Sequence, residues 1–227
     1  MEDELLDYAR RLAQNLTPGD LDGTLSRITA AAVDVLPDVT MASITIRHSD
    51  NRLETVAPTD DVLCELDAKQ YKLQQGPCYD AATDEAYAVS SHLATDTRWP
   101  DYSKVALEAG IRAQAGIALF ASPRSLGALN LYSHHIRAFE DLGPLAALFS
   151  HQAAVAIGYA QEISDLRQAV ATRQQIGAAI GVVMERYQLS EDRAFAFLAR
   201  LSQDRNVKLR EIAGEFTTLA NTPSRAS

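Results

Sequence analysis

The sequence predicts an α+β domain that a coiled-coil helix joins to an all-α bundle of three helices. Four short segments rich in β-branched and alternating apolar residues indicate strands, at residues 39–47, 53–57, 113–121 and 126–133. After residue 173 the apolar residues recur at helical spacing. Because residues 159–176 contain neither proline nor glycine, we expect one continuous helix to connect the two parts.

The first part begins with two helical patterns. Residues 3–16 carry leucine and alanine at helical spacing, so we expect an N-terminal helix within residues 1–19. Asp20 can cap a second helix, which ends before Pro37. A further helix near residues 60–70 and a long loop precede the last two strands. The acidic start lacks the apolar segment of a signal peptide, and no apolar run approaches a membrane span. We therefore expect a cytoplasmic protein.

Four motifs of this first part carry a family resemblance. They are Gly76-Pro77-Cys78, the stretch 92–100 (HLATDTRWP), Gly110-Ile111-Arg112 and Gly127-Ala128-Leu129-Asn130. Together with the order of helices and strands, they make residues 20–157 similar to a GAF domain. The resemblance implies an antiparallel sheet with flanking helices and a pocket under long loops. It also implies a possible small-molecule ligand, whose identity the sequence does not indicate, so the cofactor is unknown.

Three amphipathic patterns follow one another in the last part of the chain. The apolar stripe of the first consists of Ile176, Ile180, Val183, Met184 and Tyr187. Ser190 can cap the second helix, whose stripe consists of Phe195, Leu198 and Leu201. The third stripe consists of Leu209, Ile212, Ala213, Phe216, Leu219 and Ala220. Three such helices form a small self-burying bundle.

This bundle, residues 173–221, resembles the ANTAR domain, the RNA-binding output module of bacterial antitermination regulators. The matching residues are Arg173, Ile176, Ala179, Gly181, Met184, Ala194, Leu198, Ser202, Asn206, Lys208, Leu209 and Ala213. One position departs from the family, since Ile180 stands where ANTAR domains very often have lysine. The resemblance implies that the bundle binds RNA and that the domain before it senses a signal.

Charge is distributed unevenly between the two parts. The chain carries a net charge of −9, but residues 165–227 contain nine Lys and Arg against seven Asp and Glu. We expect RNA contacts from Ser202, Asn206, Lys208 and Arg210 near the corner of the second and third helices, with Arg200 and Arg205 on phosphates. Gly177, Ala178 and Gly181 would allow close approach of RNA; close packing between helices is the alternative explanation.

The connecting helix, residues 158–172, carries the spacing of a coiled coil. Ala156, Tyr159, Ile163, Leu166 and Val170 alternate in steps of three and four, and the pattern continues through Arg173 to Met184. We therefore expect a homodimer whose seam these residues form. The alternative is one helix that packs only on its own domain.

These features predict a regulator that stabilises a double-hairpin antiterminator in nascent RNA, under the control of a small-molecule effector. Two other classes stay open: a small-molecule or redox GAF enzyme or sensor that uses Cys78, and a protein-interaction module. Cys78 has Asp80 nearby and no basic residue closer in sequence than Lys72, which favours an inert thiol. No spacing of cysteine and histidine suggests a metal site or a catalytic group.

Overall fold

The computed structural model describes residues 20–83, 87–121, 125–140 and 142–221. The chain divides into two compact units, residues 1–162 and residues 163–227. The helix expected within residues 1–19 lies outside the described residues. None of the described helices is long and apolar enough to cross a membrane.

The helices and strands follow the order αββααβαββααα. In the first unit they are α1 (Leu21–Val35), β1 (Met41–His48), β2 (Leu53–Val56), α2 (Val62–Leu73), α3 (Pro77–Thr83), β3 (Tyr87–Ser90), α4 (Pro100–Glu108), β4 (Ala113–Ala121) and β5 (Ser125–Ser133). Helix α5 (Gly143–Tyr187) begins in the first unit and ends in the second, where α6 (Glu191–Arg205) and α7 (Leu209–Asn221) follow.

The first unit is built on a five-stranded antiparallel sheet in the order β2-β1-β5-β4-β3. The four predicted strands are β1, β2, β4 and β5, and the predicted cap of α1 is also confirmed, because Asp20 Oδ1 accepts the Gly23 N–H at 2.8 Å. One apolar cluster joins α1 and the start of α5 to one sheet face, and includes Ile28, Ile44 and Phe149. Another cluster joins α2, α3 and α4 to β1 and β5.

Three elements of this unit were not predicted from the sequence. Helix α3 and strand β3 lie inside the expected long loop, and α4 follows directly after Trp99. The first two span seven and four residues, too few for a periodic pattern. Their positions depend on two glycines. Gly76 has a φ of 121°, and a Cβ on Gly116 would lie 2.8 Å from the Ala81 Cβ, so only glycine lets α3 lie against β4.

A buried carboxyl group lies between the sheet and α2. Asp67 has no exposed surface, and four side chains donate hydrogen bonds to it. The donors are Ser43 Oγ at 2.8 Å, Thr55 Oγ1 at 3.1 Å, Gln70 Nε2 at 3.1 Å and the Tyr132 hydroxyl. Because burial disfavours the charged form, it raises the pKa of Asp67 from 3.8 to about 6, although these hydrogen bonds oppose the change.

The second unit has a small core. Ala179, Val183, Ala194, Leu198, Ile212 and Ala213 are buried there, and half-buried residues such as Ile176, Met184, Leu209 and Phe216 surround them. Two residues of the predicted stripes lie elsewhere: Tyr187 is exposed, and Phe195 is exposed beside an open groove between α5 and α6. Ala194 is buried instead of Phe195 because it lies one helical turn before the buried Leu198 on the inward face of α6. The side chains of Leu219 and Ala220 lie outside the described part.

The raised pKa of Asp67 predicts a specific pH dependence of stability. Between about pH 4 and 6 the folded protein keeps a proton on Asp67 that the unfolded chain has released, so this group favours folding most at low pH. Its contribution falls by about 3 kcal/mol as the pH rises through 6. Urea titrations give the free energy of unfolding of the wild type and of Asp67→Asn at each pH. We expect the difference between the two, wild type minus variant, to decrease by about 2–3 kcal/mol between pH 4 and pH 7.

The matched control is Asp101→Asn, which removes an exposed carboxyl group paired with Lys104. Its stability should follow the wild-type curve within the error of the titration. Parallel curves for the wild type and Asp67→Asn would show that Asp67 does not bind a proton on folding.

Candidate functional site

The corner between α6 and α7 is a tight turn with internal hydrogen bonds. Asn206 has a φ of 52° and ends α6, where its N–H reaches the Gln203 carbonyl at 3.2 Å. The Ser202 hydroxyl donates to the Val207 carbonyl across the turn. The Lys208 carbonyl accepts the N–H groups of Glu211 and Ile212 in the first turn of α7. Ser202 and Asn206 thus hold the shape of the corner, and the side chains beyond it are presented on a fixed backbone.

The four predicted cations of this region have different surroundings. Lys208 and Arg210 are exposed and form no ion pair with any residue that the structure describes. Arg205 donates to Glu215 at 2.9 Å, and Arg200 lies 4.0 Å from Asp204. A guanidinium that already has a carboxylate partner attracts phosphate less, so Lys208 and Arg210 are the more available cations.

The small residues of α5 form an open surface. Gly177, Ala178 and Gly181 are exposed, and apart from the adjacent backbone of α5 no described atom lies within 4 Å of a Cβ built on either glycine. Close packing between helices of this unit therefore does not require glycine at these positions. Ile180 is half-buried and packs against the bundle core, which accounts for an apolar residue there.

An exposed aromatic group beside α6 was not predicted. The Phe197 ring lies 5.6 Å from the Tyr187 ring and 6.0 Å, edge-on, from the Phe216 ring. Phe197 and Tyr187 keep 39% and 49% of their surfaces exposed. Arg193 and Arg200 flank Phe197 at helical spacing on the same side of α6. The spacing of basic and aromatic residues along one helical face was the signal in the sequence that could have revealed this group.

The predicted dimer seam lies along α5. Tyr159, Leu166 and Val170 expose 56%, 60% and 57% of their surfaces, and Ile163 is half-buried. Ala156 differs, because only 4% of it is exposed and it packs in the core of the first unit. Of the predicted seam, the residues from Tyr159 onward are therefore accessible to a partner helix, whereas Ala156 is not.

Cys78 is enclosed by the polar network of the first unit. Its Sγ lies 3.3 Å from the Tyr132 hydroxyl and accepts from the Gln114 amide, and its backbone N–H donates to Gln70 at 3.1 Å. Burial raises the pKa of the Cys78 thiol well above its ordinary value. The thiol is therefore protonated and closed to solvent, which is unfavourable for nucleophilic or redox chemistry. Cys64, in contrast, is exposed on α2 and does not pack in the core.

No described group of three or more His, Cys, Asp or Glu side chains could hold a metal ion. The described residues therefore offer two different environments. One is the enclosed polar core of the first unit, and the other is the surface of the second unit, which exposes Lys208 and Arg210 at the α6–α7 corner and the Tyr187 and Phe197 rings.

Comparison with solved structures shows the fold of the first unit. A LuxR-family transcription factor from Burkholderia cenocepacia, CepR2, matches with a TM-score of 0.54 at 14% identity, over 69% of this chain and 97% of that chain. The GAF domain of an Acinetobacter phosphoenolpyruvate-protein phosphotransferase matches with a TM-score of 0.50 at 14% identity, over 70% and 96%. Bacteriophytochrome RpBphP3 from R. palustris matches with a TM-score of 0.56 at 12% identity, over 80% of this chain and 42% of that chain.

At these identities the structural likeness establishes the fold alone. No curated protein sequence matches the chain. Family models match both parts: the GAF domain at residues 19–158 and the ANTAR domain at residues 164–216. The GAF domain is a sensory domain and the ANTAR domain an RNA-binding antitermination domain, so their combination is that of a regulator rather than an enzyme. The chain belongs to the GAF domain family and carries a C-terminal ANTAR domain.

Proposed function

We propose that this chain is a cytoplasmic, homodimeric antitermination regulator that binds a double hairpin in nascent RNA. Its ANTAR domain would contact the two hairpin loops, one from each subunit, and its GAF domain would respond to a small-molecule effector. Binding stabilises the antiterminator and thereby excludes the competing terminator. A protein present at about 100 times its Kd stabilises the bound RNA fold by about 2.7 kcal/mol, which is enough to reverse a nearly balanced choice between two RNA structures.

The observation that carries this proposal is that one small bundle exposes both aromatic rings and cations that form no ion pair with the described residues. Proteins recognise RNA loops by holding phosphates with cations and by stacking splayed bases on aromatic rings. Lys208 and Arg210 supply cations at the α6–α7 corner, while Tyr187 and Phe197 supply ring faces. Arg193 adds a charge beside Phe197.

Phe197 is suited to stacking because its position is fixed before RNA binds. Its ring has an edge-on contact with Phe216 and a tilted contact with Tyr187. A ring held in this way loses little conformational freedom on binding. Gly177 and Gly181 allow RNA or a neighbouring chain to approach the backbone of α5.

The dimer is supported by the apolar side chains that α5 leaves exposed. Tyr159, Leu166 and Val170 lie at the seam positions of the heptad pattern. Glu162 comes directly before the seam residue Ile163, and Arg167 comes directly after the seam residue Leu166. In a parallel, in-register coiled coil, Glu162 therefore faces Arg167 of the partner subunit, and their opposite charges attract. Neither side chain has an ion pair with a described residue. Holding two ANTAR domains together makes the second loop contact intramolecular.

Lys208→Ala tests the proposed RNA contact. We expect weaker binding to a double-hairpin RNA and less read-through of a terminator in an in vitro transcription assay. Removing one phosphate contact should also reduce the slope of log Kd against log salt by about 0.7, while circular dichroism shows an unchanged fold. Arg205→Ala is the matched control, and its effect should be smaller because Glu215 already neutralises Arg205.

The interpretation is wrong if Lys208→Ala leaves both affinity and salt dependence unchanged. Absence of RNA binding by the wild-type chain would instead favour a protein-interaction module.

Phe197→Leu tests the stacking role. Leucine keeps an apolar contact with Phe216 but has no ring, so we expect RNA affinity to fall by about 1–3 kcal/mol for a lost base stack. Phe197→Trp keeps a ring and should keep most of the affinity. Fluorescence anisotropy with labelled RNA measures both variants. Equal affinities for the leucine and tryptophan variants would show that Phe197 contributes only packing.

Insertions after Leu166 test the coiled coil. Seven added residues preserve the heptad pattern, so dimer formation and RNA affinity should be nearly unchanged. Nine added residues give a similar length but rotate the seam by about half a turn, which places polar residues between the helices. We expect this second protein to be largely monomeric by analytical ultracentrifugation and to bind the double hairpin more weakly. If both insertions behave alike, residues 159–172 act only as a tether.

A further inference from the structure

A surface cavity of the first unit lies where β1 and β2 meet α2 and α3. Its volume is about 430 Å³, within the range of small-molecule sites. Its lining includes Arg47, Leu53, Tyr71, Gln74, Tyr79 and Thr83. It is separate from Cys78, which the polar core encloses.

Arg47 is the charged side chain of this lining, and it has no carboxylate partner among the described residues. Its Nη1 donates to the Thr83 carbonyl at 3.2 Å, which uses one of five N–H donors. Glu54, on the neighbouring strand, pairs in register with Ile46 and hence lies on the other sheet face, where it binds His48 and Arg52. A guanidinium placed in this way has donors left for a planar anion, which it can hold with two parallel hydrogen bonds.

The other residues that line the cavity favour an organic ligand over an inorganic ion. Leu53 supplies an apolar surface, and the half-buried Tyr71 and Tyr79 supply aromatic side chains. The amides of Gln74, at the end of α2, and of Asn51, between β1 and β2, add polar groups. The lining thus combines apolar and aromatic side chains with polar groups that can orient an organic ligand.

Tyr71 connects the cavity to the buried network. Its hydroxyl lies 2.8 Å from Thr45 Oγ1 and 2.8 Å from Thr55 Oγ1, and Thr55 in turn donates to Asp67. An occupant that restrains Tyr71 therefore also affects the hydrogen bonds between β1, β2 and α2. This gives a site at the edge of the sheet a physical route into the core of the domain.

We propose that this cavity binds a small aromatic carboxylate, with the carboxylate on Arg47 and the ring against Leu53, Tyr71 and Tyr79. The inference deepens the sensory part of the proposed function, because it names a chemical class for the effector. It does not depend on RNA binding.

The experiment uses the full-length protein and benzoate as the probe. Isothermal titration calorimetry should show saturable benzoate binding, with chemical-shift changes of the labelled Tyr71 and Tyr79 rings in NMR spectra. Benzamide has the same ring without the charge and should bind at least about tenfold more weakly. Inorganic phosphate has charge without a ring and should also bind weakly.

Variants assign the charge to one residue. Arg47→Gln should lower benzoate affinity by about tenfold or more, and Arg47→Lys by less, because it keeps a cation but cannot form the bidentate contact. Arg52→Gln is the matched control, since Arg52 is exposed, pairs with Glu54 and does not line the cavity. It should bind benzoate like the wild type.

Three results would overturn the proposal: no benzoate binding by the wild type, equal binding of benzoate and benzamide, or unchanged affinity in Arg47→Gln. If phosphate binds as tightly as benzoate, the claim that the cavity selects an aromatic ligand is wrong. If Arg47→Gln does not fold, the comparison of benzoate with benzamide on the wild type decides. Because no assay contains RNA, failure here is distinct from failure of the RNA-binding proposal.

Discussion

The packing on one face of the sensor sheet depends on a carboxyl group that has no access to water. An ionised carboxylate without partners costs several kcal/mol in a protein interior, so Asp67 needs donors from its surroundings. They come from β1, β2, β5 and α2. This need accounts for Ser43 and Thr55 at strand positions that could otherwise be apolar. It also fixes the strand register, because a slip by one residue would turn these hydroxyls to the other face.

The same network determines where the GAF domain can hold a ligand. Tyr102, Gln114, Cys78 and Tyr132 fill the centre of this face with side chains that bond to one another. A ligand there would have to displace satisfied hydrogen bonds. In the edge cavity, Arg47 instead has N–H donors that no described carboxylate engages. A ligand in the proposed edge site would not have to displace these central hydrogen bonds and would reach them only through Tyr71.

The ANTAR bundle differs from the GAF domain, because its core consists largely of small side chains and several of its aromatic side chains are exposed. Ala179, Ala194 and Ala213 occupy buried positions where the three helices meet. Close approach of the helices then leaves no room for Phe197 in the interior, and its ring lies at the edge against Phe216. One domain of about sixty residues thus carries both an aromatic surface and cations that form no ion pair with the described residues. The proposed coiled coil would complement this small module by supplying two copies at once.

Local pattern in the sequence determined the helix and strand periods, the Asp20 cap, the order of the two domains and the exposure of Lys208 and Arg210. These properties depend on neighbours a few residues apart, which the sequence displays directly. Tertiary structure decided the rest. Asp67 and Tyr132 are 65 residues apart in the chain, and Arg205 meets Glu215 only because α6 and α7 pack together. Likewise, Ala156 became core and Phe195 surface because the packing of each helix against distant segments selects which of several apolar residues faces inward.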